Sequence, residues 1–160
     1  MSTIDAPAPE IPPIEGAPPR ILMLRAPYYR EVVDGMTRAA EALLAEAGAK
    51  VETVDVAGAF ELPQALRIAL RGRERFDGFI ALGCVVRGET DHYDFICEGA
   101  MSGLMQVALQ YGIALGTAVL TVDTLAQAQA RSAETGSNKG AEAASACLKQ
   151  IAIARRLGAS

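Results

Sequence analysis

From Arg20 onward, apolar and polar positions alternate between a period of two and a period near 3.6. Residues 21–26, ILMLRA, form a short apolar run that reads as a buried strand. Val32, Val33, Met36, Ala39, Ala40, Leu43, Leu44 and Ala47 then fall on one helical face, which Gly48 terminates. Residues 50–56, KVETVDV, alternate like a strand, and 62–70, LPQALRIAL, read as a second helix with a proline tolerated in its first turn. The most apolar run, 77–86, predicts a central strand. A long helix over 91–111, a fourth strand over 116–122 and two helices over 124–133 and 138–157, joined by the turn ETGSN, complete the pattern. Strands alternating with crossovers of helical length predict a parallel sheet covered on both faces, a three-layer α/β sandwich.

Residues 1–19 hold most of the prolines and fit neither a helix nor a central strand. They read as a flexible or extended arm suited to lying along a neighbour, with 20–160 as a single domain. The chain has 160 residues, enough for one domain with a real core. No apolar run reaches the roughly 18 to 20 residues that span a bilayer. The start, MSTIDAPAPE, lacks the basic and apolar segments of a secretory signal. These features predict a cytoplasmic protein without a membrane partner. A net charge of -4 gives no basic stripe for nucleic acid. Cys84, Cys97 and Cys147 lack zinc-ligand or CxxC spacing and read as reduced structural thiols. The chain has no Trp, so its core is aliphatic and alanine-rich, a composition that suits close helix packing and oligomers.

In open parallel sheets, ligands bind outside the carboxyl ends of the strands. The segments predicted to meet there are 26–29 (APYY), 58–61 (GAFE), 84–92 (CVVRGETDH) and 121–124 (TVDT). They bring adjacent tyrosines, a glutamate and His92, the single histidine, to one edge. Each part also has a plainer role. Tyr28 and Tyr29 could cover the sheet edge, and Glu61 could complement a helix dipole. RGET could be an ordinary turn with Thr90 or Asp91 as N-cap, or an anion site built on Gly88 and the amides of residues 89–91. His92 could be a surface imidazole. A metal site is disfavoured, because Asp91 and His92 point apart on a helix and no second histidine exists.

GAFE, LGCVVRGETDHYD, LTVDT followed by QAQAR, and NKG together resemble the lumazine synthase family, in order and with matching spacing over about 21–157. The resemblance implies a four-stranded parallel sheet in flavodoxin-like order. It also implies an enzyme of riboflavin biosynthesis, a transferase that condenses 5-amino-6-(D-ribitylamino)uracil with 3,4-dihydroxy-2-butanone 4-phosphate. No metal, flavin or nicotinamide is implied.

By the same resemblance, His92 is the catalytic proton carrier, able to give and take a proton near neutral pH. Gly88, Glu89, Thr90 and Arg131 bind phosphate. Tyr28 stacks on the pyrimidine, Ala59, Phe60 and Glu61 line its substituents, and Cys84, Val85 and Val86 present backbone groups to the ring edge. Lys139 lies near the pyrimidine, and Thr117 stands where some relatives place a second aromatic. Arg131 and Lys139 come from an adjacent subunit in the family, which implies a pentamer or an assembly of pentamers, with an icosahedral shell as one form. Three departures stand out: PY in place of RF after the first strand, Thr117, and the pair Glu98 and Gly99. They keep a second reading in view, a non-catalytic flavin-binding or shell-forming relative.

Overall fold

The computed structural model describes residues 8–159. Four parallel strands, β1 (Arg20–Arg25), β2 (Lys50–Asp55), β3 (Gly78–Val86) and β4 (Ala114–Val122), form one sheet in the order β2-β1-β3-β4. Five α-helices accompany them: α1 (Arg30–Glu46), α2 (Leu62–Ala69), α3 (His92–Tyr111), α4 (Leu125–Ser132) and α5 (Lys139–Arg156). A single 3-10 turn, Ala59–Glu61, precedes α2. This is the predicted α/β architecture with flavodoxin-like strand order, and the progression of strand order reverses between β1 and β3 while all strands stay parallel.

The period-two alternation of β1 divides the core. Ile21 and Met23 join Val33, Met36, Leu44, Cys147, Leu148 and Ile151 beneath α1 and α5. Leu22 and Leu24 face the opposite side with Leu62, Leu66, Ala100 and Leu104 beneath α2 and α3. β3 is buried at its first seven residues, as the most apolar run demanded. Gly48 adopts φ +70 directly after α1, a conformation that glycine reaches without a Cβ clash, so the helix stops where the sequence indicated. β4 begins at Ala114, two residues before the predicted start, because α3 ends at Gly112 and the chain turns straight back into the sheet.

The two layers differ in how closely they sit. α5 approaches β4 and α1 through glycines: a Cβ at Gly116 would lie 2.0 Å from the Ala143 carbonyl oxygen, and one at Gly140 would lie 1.9 Å from that of Met36. By contrast, α3 buries only Ala100 and Leu104 of its 20 residues. Phe95, Met101, Met105 and Leu109 remain exposed on it. Residues 8–19 carry no regular secondary structure beyond the last entry into β1. Ile11 and Ile14 pack against the α1–α5 core, and Ser145 on α5 exchanges hydrogen bonds with the Glu10 backbone at 3.0 and 2.7 Å.

Candidate functional site

Two clefts concern the predicted residues, one at the carboxyl end of the sheet and one along its β4 edge. The first lies at the β1/β3 reversal, encloses about 510 Å³ and is lined by Tyr28, Tyr29, the 57–61 segment, Cys84, Val85, Val86, His92 and Ile96. Every residue assigned to the ring of the pyrimidine and its substituents on β1, β3 and the 3-10 turn is therefore in one place, with the imidazole beside them. β1 and β3 end next to each other, which brings the 26–29 and 84–86 segments together, and the turn after β2 closes the floor. Tyr28 and Phe60 are exposed, at 65% and 47%, and line the cleft. Gly58 leaves room between two of its walls, since a Cβ there would stand 3.2 Å from Glu61 Oε2 and 3.9 Å from Tyr28 Cε2.

Phe60 itself rests on α3. A Cβ at Gly99 would come within 2.6 Å of Phe60 Cε2, and one at Gly103 within 2.8 Å of Pro63 Cγ. The Gly99 departure is thus a seat for the aromatic of GAFE, one helical turn before a second seat for Pro63. Cys84 is buried beneath the cleft, and burial pushes its thiol up to about 11, so it stays protonated at neutral pH.

The segment from Gly88 to Asp91 leads into α3 and carries His92 as the first helical residue. Neither predicted cap forms: Asp91 occupies the N-cap position, but its side chain accepts no hydrogen bond from the helix. Among the described residues, the backbone amides of residues 88–91 donate to no protein acceptor. A Cβ at Gly88 would meet nothing within 4 Å. The mouth of a 20-residue helix therefore presents unpaired N–H groups beside an open space.

The second cleft, of about 620 Å³, runs along the outer edge of β4 between α3 and α5. Thr117, Thr121, Arg131, Lys139 and Glu142 supply its polar groups. The structure does not bring Thr117, Arg131 or Lys139 into the first cleft; they form a group of their own. Arg131 donates to the Gln127 carbonyl oxygen at 2.8 Å, within its own helix. Lys139 is held by Glu142, with Nζ 2.7 and 2.8 Å from the two carboxylate oxygens. Asn138 fixes the turn that carries both cations. Its buried amide donates to the carbonyls of Gly35, Ser132 and Ala133, and its oxygen caps the Gly140 N–H at 2.8 Å.

Two contributors, Glu142 and Arg87, were not singled out from the sequence. Glu142 was detectable as an acid three residues after Lys139 on one helix. Tyr29 lines the first cleft in a left-handed conformation, φ 51 and ψ 59, which no local pattern announces. Arg87, immediately after β3, bonds Asp94 on α3 and Asp123 after β4. Among the described residues no group of three or more His, Cys, Asp or Glu could hold a metal, and no helix is long and apolar enough to cross a membrane.

Comparison with known proteins gives a consistent answer. The 6,7-dimethyl-8-ribityllumazine synthase family profile matches residues 18–155. A protein of Paramagnetospirillum magneticum named 6,7-dimethyl-8-ribityllumazine synthase is 41% identical over 147 residues, covering 88% of this chain and 98% of that protein. One of Rhizobium meliloti, named 6,7-dimethyl-8-ribityllumazine synthase 1, is 41% identical over 146 residues, covering 89% of this chain and 95% of its own. A Methylobacterium radiotolerans protein of the same family name is 41% identical over 150 residues, covering 94% and 90%.

Proposed function

The chain belongs to the 6,7-dimethyl-8-ribityllumazine synthase family, and we propose that its synthase reaction runs in the first cleft, completed by the second cleft of a neighbouring copy. The protein is a transferase of riboflavin biosynthesis. It condenses 5-amino-6-(D-ribitylamino)uracil with 3,4-dihydroxy-2-butanone 4-phosphate and releases phosphate and water.

The 5-amino group attacks the ketone, and loss of one water gives an imine. A proton then leaves the carbon next to the imine as the phosphate departs; the resulting enol takes a proton on its terminal carbon to become a methyl ketone, and attack of the ribitylamino nitrogen on that carbonyl with loss of a second water closes the new ring. Each step moves a proton on or off nitrogen, oxygen or carbon, and one step expels an anion. His92 serves as the group that takes and returns the proton, a role that contributes on the order of 10² to 10⁴-fold. The unpaired amides of Glu89 and Thr90, together with Gly88, cradle the phosphate two to four residues before His92. Tyr28 stacks on the pyrimidine, Ala59, Phe60 and Glu61 receive the ribityl chain, and Cys84, Val85 and Val86 meet the ring edge through their backbone.

The observation that carries this reading is the meeting of the lone imidazole with free helix-mouth amides and an aromatic-lined cleft. Arg131 and Lys139 are suited to the phosphate and the pyrimidine, and Thr117 lies with them rather than with Tyr28. Their separation from His92 supports a site shared between two copies of a pentameric unit. The exposed apolar residues of α3, Phe95, Met101, Met105 and Leu109, support burial against such a neighbour.

The test is lumazine absorbance from purified protein and both substrates against an enzyme-free control. Protein-dependent formation is expected above background, and His92→Ala is expected to lower turnover by about 10²-fold, the lower end for a general acid–base residue. Wild-type turnover in His92→Ala would remove the assigned role.

A further inference from the structure

Arg87 lies where three elements end, at the close of β3 and immediately before the phosphate cradle. Its backbone N–H donates to the Val122 carbonyl oxygen at 2.9 Å, which ties it to the end of β4. Its guanidinium donates to both carboxylate oxygens of Asp94, at 3.0 and 3.2 Å, in the first turn of α3. The same group donates through Nε to Asp123 Oδ1 at 3.2 Å, in the β4–α4 connection. Its Cζ also lies 4.1 Å from the centroid of the Tyr93 ring. One side chain therefore spans β3, the start of α3 and the loop that leads towards the α4 cation.

Exposed ion pairs are individually weak, and a bidentate fork joined to a second carboxylate is the arrangement in which they matter. Here it matters more because α3 has no side-chain cap. Nothing else at that helix mouth fixes residues 88–91 through a side-chain hydrogen bond among the described residues. Arg87 is also a poor phosphate ligand in its own right, since its fork is taken by two carboxylates.

We propose that Arg87, through Asp94 and Asp123, is a positioning residue that sets where His92 and the amides of Glu89 and Thr90 stand relative to the butanone phosphate. This inference rests on the site assigned above. In the ring-binding wall, Tyr28 and Ala59–Glu61 stand on other segments and Cys84 lies within β3, held on both sides by the sheet, so none of them makes a contact with the clamp.

The experiment is steady-state kinetics on intact oligomer for Arg87→Ala, Arg87→Lys, Asp94→Asn and the Arg87→Ala/Asp94→Asn double variant, with His92→Ala run alongside. Arg87→Ala is expected to raise KM for the butanone phosphate about 10-fold and lower kcat about 3-fold, magnitudes typical of a small misplacement of reacting groups. KM for the ribitylamino-pyrimidine is expected to stay within about twofold. Asp94→Asn moves the same parameters, the double variant is no worse than the more impaired single variant, and Arg87→Lys falls between. A purely structural loss would lower apparent kcat with both KM values unchanged. That result, equal shifts in both KM values, or a double variant equal to the product of the singles would overturn the proposal. Should Arg87→Ala fail to assemble, Asp94→Asn and Asp123→Asn carry the same expectations. Impairment in His92→Ala with wild-type kinetics in Arg87→Ala refutes the clamp alone, whereas an unimpaired His92→Ala refutes the site beneath it.

Discussion

The cleft between β1 and β3 holds an imidazole, a carboxylate and aromatic rings, whereas the cleft along β4 holds two cations, two threonines and a glutamate. The first is assembled from two loops, the end of β3 and the start of α3, all at strand ends. The second is assembled from side chains on the flank of a strand and on two helices locked together by buried glycines and Asn138. Proton transfer and ring stacking need adjustable, partly exposed groups, and the first cleft supplies them. Anion binding needs cations held in place before the substrate arrives, and the second cleft supplies those. Neither contains both, and that division is what supports the proposed site shared between copies.

The contrast can be broken most severely from the rigid side. Gly140→Ala would drive a Cβ into the Met36 carbonyl, 1.9 Å away, and neither backbone can yield easily. A loss of about 3 kcal/mol is expected, at the upper end for overpacking, and a thermal melt checks it. On the adjustable side, Gly99→Ala would press on the edge of the half-exposed Phe60 ring. The ring can swing aside, so folding is expected to survive while KM for the ribitylamino-pyrimidine rises about 10-fold. The smallest effect belongs to Tyr29. It is the one non-glycine residue at positive φ among those described. Tyr29→Asn is expected to raise stability by up to about 1 kcal/mol, since asparagine tolerates the left-handed region better. Calorimetry of the variant against wild type would show it, and a lowered melting temperature would mean that the ring contributes more than its backbone costs.

Much of this was legible from the sequence because burial imposes a period. The alternation in 21–24 and the helical spacing of 32–47 report which faces are covered, so elements and strand-end convergence followed. The first cleft was legible for the same reason: its residues sit at predicted strand ends. Contacts between distant segments leave no such trace. In the sequence Gly99 is only a departure, and its meaning lies in the Phe60 ring packed against it; the missing cap of α3 likewise shows only in the folded chain, beside the Arg87 fork. Likewise, Thr117 could be matched to a position but not to a cleft, because facing the β4 edge rather than the β1/β3 opening is a property of the folded sheet.

The most direct measurement co-expresses His92→Ala and Arg131→Ala chains at equal levels and assays lumazine formation by the co-purified mixed oligomer. Each parent alone lacks one half of every site. If the two clefts join across an interface between copies, random mixing restores about one quarter of wild-type activity, since each site draws its two halves from independent neighbours. Activity in the mixture no higher than the average of the two parents would contradict the shared site and return both clefts to a single chain.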